Sequence, residues 1–234
     1  MKKRIITVLT LLLCLMPFAG KAQDIVPPVE AERLLDAEKP VAKKILFIGD
    51  SMTGWLAERL EAYGKQNGFE VATVIWDGST IKKWGTNPKL KSIVDGQKPD
   101  AVFVSLGMND LFETNPEARC KSSLDAIKDV AGDAQIIWVG PPSWPGKKRG
   151  DVMINWLGEQ LGEGHFFDSS YLELPRQSKT NPHPTREGMM KWMDQVVGWI
   201  ESEGAIALPG YDKPTGQQMA RGKSYVYKRM KETL

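Results

Sequence analysis

Five short β-rich runs alternate with stretches of helical periodicity between residues 44 and 202, and this alternation is what most restricts the fold. Strands read over 44–49, 70–76, 100–106, 135–140 and 165–168. Helices read over 52–66, a short stretch near 87–94, 116–131, 150–162 and 185–202. Units in that order build a mostly parallel sheet with helices on both faces. The segments "AVFVSL" and "QIIWVG" are near-continuous apolar runs, as strands covered on both faces require. In the first helix Met52, Trp55, Leu56, Leu60 and Tyr63 recur at helical spacing, with Gly64 and Gly68 placed to stop it. Asn115 followed by Pro116 pairs an N-cap with a first-turn proline, and Leu124, Ile127 and Val130 supply the buried face behind them.

The ends of the chain read differently. Lys2, Lys3 and Arg4 precede an apolar run from Ile5 to Phe18, and Gly20-Lys21-Ala22 follows as a small-residue cleavage site. This is the pattern of a secretory signal peptide over residues 1–22, with an apolar part too short for a comfortable membrane span. The expected product is exported, periplasmic or secreted, with no stable membrane insertion after cleavage. Cys14 follows three leucines rather than a small residue, which argues against lipidation, and it leaves with the signal. Cys120 then stands alone, so no intramolecular disulfide forms and stability rests on core burial. Cleavage removes four basic residues and no acidic one, taking the formal charge from +2 to −2; neither balance suggests nucleic acid. Residues 23–42 read as a proline-containing leader and 43–203 as the folded domain. Residues 204–234 read as a loop-like C-terminal extension whose basic stretch, Arg221 to Lys231, reads as a solvated face, with contact to a partner or an anionic glycan as the alternative.

An open parallel sheet binds ligands at the carboxyl ends of its strands, where loops and helix N-termini converge. Three segments bring unusual side chains to that edge: Gly49-Asp50-Ser51 after the first strand, "WDGST" with Gly78 and Ser79 after the second, and "GMND", Gly107 to Asp110, after the third. Ser51, at the start of the first helix, meets unpaired N–H groups and the positive end of the helix dipole. Those suit a nucleophile whose attack creates an oxyanion. The backbone N–H groups of Ser51 and Gly78 and the side-chain amide of Asn109 are the candidate oxyanion donors, and a glycine lets the backbone come close. A serine hydroxyl also needs a base. Of the two histidines, His165 opens the apolar run "HFFD" and reads as structural. His183, held between Pro182 and Pro184 in "NPHPT", reads as the base.

These segments, in this order and approximate spacing, resemble the four blocks of the SGNH hydrolases, the GDSL-type esterase superfamily. Gly49-Asp50-Ser51 resembles the first block, Gly78 the second, Gly107-x-Asn109-Asp110 the third and His183-Pro184 the last, over about residues 44–202. The resemblance implies a flavodoxin-like three-layer α/β/α sandwich around a five-stranded parallel sheet. It also implies ester hydrolysis through an acyl-serine, with no metal and no other cofactor. One position departs from the family: an aspartate usually stands three residues before the histidine, and here that residue is Thr180. An orienting group fixes the histidine tautomer and steadies the imidazolium, so its replacement matters. The alternatives are a backbone carbonyl or Thr180, an acid such as Glu173 from the preceding loop, or a site weakened into a binder.

Blander roles compete for several residues. Asp50 and Asp110, with Asp168, read as a magnesium site would leave Asn109, Gly78 and His183 without a use, so the first two are expected to brace their turns. Cys120 reads as a small buried side chain in a helix. Trp138, Trp192 and Trp199 read as core, whereas Trp55, one turn after Ser51, and Trp144, in "PPSWPG", fall near the expected cleft as candidate substrate contacts. Indole faces stack on sugar rings. The expected function is therefore hydrolysis of acetyl or other short acyl esters, on a small molecule or a carbohydrate, with Ser51 as nucleophile and His183 as base. The rivals are a glycan O-acyltransferase using the same site and a non-catalytic glycan-binding protein.

Overall fold

The computed structural model describes residues 38–148, 150–216 and 227–229. The expected signal peptide, most of the leader and most of the basic stretch from Arg221 lie outside these residues. In chain order the elements are β1 (Lys44–Gly49), α1 (Thr53–Asn67), β2 (Glu70–Ile75), α2 (Ile81–Gly85), α3 (Leu90–Gln97), β3 (Ala101–Ser105), α4 (Pro116–Ala131), β4 (Gln135–Val139), α5 (Asp151–Leu161), β5 (Phe166–Phe167), α6 (Arg186–Ser202) and β6 (Tyr227–Arg229). The sheet runs β5-β4-β3-β1-β2-β6 with every pair parallel. The five expected strands and the flanking helices are all present. Two elements are additions. The backbone of β6 pairs with β2, Thr73 lying opposite Tyr227, within the stretch read as a solvated face. Helix α2 is only five residues long and buries only Ile81 and Trp84, too few to display a period; Thr80 caps it by accepting from the Lys83 N–H at 3.2 Å.

Alternation along β1 divides the core. Ile45 and Phe47 join the layer made by α1 and α6, while Leu46 and Ile48 join the layer on which α2, α3, α4 and most of α5 pack. Helix α6 contributes Met189, Trp192, Met193, Val196, Val197 and Ile200 to the first layer, and these fall on one helical face. A buried ion pair ties α1 to α6: Arg59, fully buried, donates to Asp194 at 2.8 Å, and the Tyr63 hydroxyl donates to the same carboxylate at 3.0 Å. The chain beyond residue 203 is less separate than its loop-like composition implies. Ile206 and Leu208 are buried in the α1/α6 layer, Lys213 pairs with Asp194 at 2.8 Å, and Arg59 donates to the Pro214 carbonyl at 3.2 Å. Ala207 bridges to Val41, so the last residues of the leader are also part of the fold.

Strand β1 has β2 on one side and β3 on the other, so the order of the sheet reverses there, and a crevice opens beyond the carboxyl ends of these strands. Gly49 ends β1 opposite Ser105 of β3. A Cβ at residue 49 would stand 2.3 Å from the Ser105 carbonyl oxygen and 2.3 Å from Thr53 Oγ1. Only glycine lets the chain leave β1 in this direction and turn Ser51 into the crevice.

Candidate active site

The turn after β1 is built by its own aspartate. Asp50 is buried; its Oδ1 accepts from the Met52 N–H at 2.9 Å, and its carbonyl accepts from the Thr53 N–H at 3.1 Å. Ser51 is thereby set just ahead of α1, half-buried, at the crevice. Burial pushes the Asp50 carboxyl up to about 7; the Met52 hydrogen bond pulls it down, and the charges of Asp110 and Asp77 add to the rise. The other two aspartates weighed as metal ligands also serve the backbone: Asp110 accepts from the Ile81 N–H at 3.1 Å, and Asp168 from the Ser170 N–H at 2.8 Å. Among the described residues no group of three His, Cys, Asp or Glu is placed to hold a metal ion.

The segment that carries the histidine is clamped from several sides. Arg176 forms a bridge with Pro184 across the loop, and its guanidinium donates to the Pro182 carbonyl and, at 2.7 Å, to the Ser143 carbonyl. The Thr185 N–H donates to the Pro175 carbonyl at 2.8 Å, and Thr185 Oγ1 caps α6 by accepting from the Gly188 N–H at 3.1 Å. These contacts hold His183 with Nε2 2.9 Å from Ser51 Oγ. The two residues, 132 positions apart in sequence, stand within hydrogen-bond reach, the arrangement a serine nucleophile and its base require.

The far side of the imidazole belongs to a residue that sequence reasoning passed over. His183 Nδ1 lies 3.0 Å from Asn181 Oδ1, and the same oxygen accepts from the His183 backbone N–H at 2.9 Å. A backbone N–H can only donate, so this end of the Asn181 amide is the oxygen. Nδ1 therefore carries the hydrogen, and the free lone pair sits on Nε2, facing the serine. The place weighed for Thr180 or Glu173 is therefore taken by Asn181 Oδ1. The signal available in the sequence was an Asx turn, in which an asparagine side chain accepts from the N–H two residues on, here across Pro182, which has no N–H to compete.

His183 is half-buried, and its pKa is lowered from the ordinary histidine value, first by burial and then by the Arg176 charge, with Asp77 opposing. The imidazole is consequently neutral, and able to accept a proton, to a lower pH than a free histidine. The acid limb that His183 gives to kcat/KM for a neutral ester is therefore expected at a lower pH than the ordinary histidine value of 6.5. An acid limb centred above 6.5 would contradict this arrangement.

Asn109 links the three strand ends. Its Nδ2 donates to the Ser79 carbonyl at 2.8 Å and to Asp50 Oδ2 at 3.2 Å. In the resting site both amide hydrogens therefore have acceptors. Gly78 is exposed in the turn after β2 with φ at +65°, a conformation that favours glycine. That turn is held by Ser79, whose N–H donates to the Trp76 carbonyl at 3.0 Å and whose Oγ accepts from Trp84 Nε1 at 2.8 Å. Ser51 and His183 open onto a groove of about 310 Å³ that Trp55, Glu58, Gln177 and Met189 also line. Trp55 is 37% exposed. Trp144 does not line this groove; it packs against Phe112 with ring centres 5.8 Å apart, in the loop that Arg176 fastens through Ser143. His165 is structural, its Nδ1 2.7 Å from the Ile136 carbonyl, and Cys120 is buried with its thiol pushed up to about 11, mainly by burial.

The GDSL-like lipase/acylhydrolase family matches residues 47–189, from β1 through the histidine segment into α6. The chain belongs to that family. Its members' chemistry is ester-bond hydrolysis, and the fold is that of the SGNH hydrolases. A family 3 carbohydrate esterase of Clostridium thermocellum is 18% identical at a TM-score of 0.51, over 68% of this chain and 95% of that one. A psychrotrophic esterase from Pseudoalteromonas sp. is 18% identical at 0.52, over 68% and 100%. A two-domain esterase active on acetylated mannans is 13% identical at 0.51, over 80% of this chain and 56% of that one. No curated protein matches the sequence.

Proposed function

We propose that this chain is an exported serine esterase that removes acetyl or another short acyl group from a carbohydrate. The reading rests on the 2.9 Å contact between Ser51 Oγ and a His183 whose lone pair faces it, with Asn181 behind. Ser51 attacks the ester carbonyl carbon and gives its proton to His183 Nε2. The oxyanion is held by the N–H groups of Ser51 and Gly78 and by the Asn109 amide, each such donor contributing about 10²–10³ in rate. His183 then protonates the departing alkoxide, and water, activated by the same imidazole, releases the acyl group and restores the serine. An intact Ser51–His183–Asn181 arrangement favours this over a non-catalytic binder. Export is supported by the N-terminal signal pattern.

The carbohydrate preference is supported by the wall of the groove. Trp55 offers a partly exposed indole one helical turn from Ser51, beside the polar Glu58 and Gln177. The C. thermocellum carbohydrate esterase and the esterase active on acetylated mannans share the fold. Acetate release from O-acetylated oligosaccharides, compared with hydrolysis of p-nitrophenyl acetate, is the test. Trp55→Ala is expected to raise KM for the oligosaccharide about tenfold, and to act much less on the aryl ester. Equal effects on both substrates, or turnover of the aryl ester alone, would contradict the carbohydrate reading.

A further inference from the structure

Asn181 differs from the aspartate usual in this role because its two ends are not equivalent. A carboxylate presents an acceptor whichever way it turns, whereas an amide rotated by half a turn presents a donor. Turned that way, Asn181 would offer Nδ2 to His183 Nδ1, and only the tautomer with its hydrogen on Nε2 could accept. That hydrogen would point at Ser51 Oγ, and the histidine could not take the serine proton. Activity therefore depends on which way a neutral amide faces.

One group sets its direction and a second reinforces it: a backbone N–H can only donate, whereas the Gln177 amide supports this orientation when its own oxygen faces Nδ2. The His183 N–H holds Oδ1 at 2.9 Å, and Gln177 Oε1 accepts from Nδ2 at 3.2 Å. Gln177 is placed by the clamped loop, its own N–H donating to the His183 carbonyl at 3.4 Å, and its side chain lines the groove beside Ser51. We infer that Gln177 is a positioning residue: it acts through Asn181 to keep His183 in the tautomer that can accept the Ser51 proton. The inference rests on the proposed esterase reading.

The test is kcat and KM for p-nitrophenyl acetate with Q177L and Q177E, each made in the native chain and together with N181D. Q177L is expected to lower kcat about tenfold with KM nearly unchanged, the scale of one lost hydrogen bond. Q177E recovers most of that loss when measured above the acid limb, because a carboxylate still accepts from Nδ2. With N181D the cost of Q177L shrinks, since a carboxylate has no wrong way to face. A raised KM with unchanged kcat would make Gln177 only a wall of the groove and would overturn the inference. So would equal losses in both backgrounds without rescue by glutamate. If N181D does not fold, the glutamate rescue decides alone. A native protein with no turnover would overturn the esterase reading, and this inference with it, before any variant is compared.

Discussion

Ser51→Ala is expected to lower ester hydrolysis by about 10⁶, to the level of the remaining binding and oxyanion donors. The size follows from the role: without Oγ there is no acyl-enzyme, and His183 has nothing to activate at that position. The fold should hardly notice. Ser51 is half-buried at the crevice, and the hydrogen bond its side chain makes to His183 Nε2 is part of the site, not of the core. Loss of one partly exposed hydrogen bond costs about 1 kcal/mol of stability. Thermal unfolding of the variant close to that of the native protein, with hydrolysis gone, is the expected pair of results. Residual turnover near the native level would remove Ser51 from the mechanism.

The second large effect concerns the histidine's support. Asn181→Leu is expected to lower kcat by about 10²–10³. It deletes the acceptor that keeps the hydrogen on Nδ1 and leaves the ring free to adopt the unproductive tautomer. The loss is set below the ~10⁴ seen when a triad aspartate becomes asparagine in a serine protease, because that asparagine imposes the wrong tautomer whereas leucine imposes neither. Asn181→Asp should act differently. A carboxylate beside Nδ1 favours the imidazolium, so the His183 pKa rises and the acid limb of kcat/KM moves to higher pH. Activity above that limb is retained. Assays across pH 5 to 9 separate the two variants, and an Asn181→Leu enzyme as active as the native one would show that the imidazole is held by something else.

Most of the sheet was legible because strands covered on both faces leave continuous apolar runs, and "AVFVSL" and "QIIWVG" fall on β3 and β4. Helix α2 was not, because two buried side chains in five residues make no measurable period. Neither was β6, since a short strand at a sheet edge is set by the neighbour it pairs with and not by its own pattern. The site divides in the same way. Ser51 and His183 announced themselves through residue type and neighbours: a serine at a strand-end turn, and a histidine between prolines. Asn181 sat in plain view two residues before His183, but its part depends on where a side-chain oxygen goes after an Asx turn closes. That geometry also left the Thr180 position without the role its spacing suggested. Trp55 and Trp144 looked alike in sequence; the first shares a helix with the groove, while the second is drawn onto Phe112.

On this mechanism Ser51 is a nucleophile activated by a neutral His183. Treating the native protein with a fluorophosphonate and locating the added mass by peptide mapping tests it most directly. One label per chain is expected, on Ser51, formed at a rate that falls as His183 becomes protonated and abolished by His183→Ala. A protein that stays unlabelled at pH 8, or carries the label on another residue while hydrolysing esters, would contradict it.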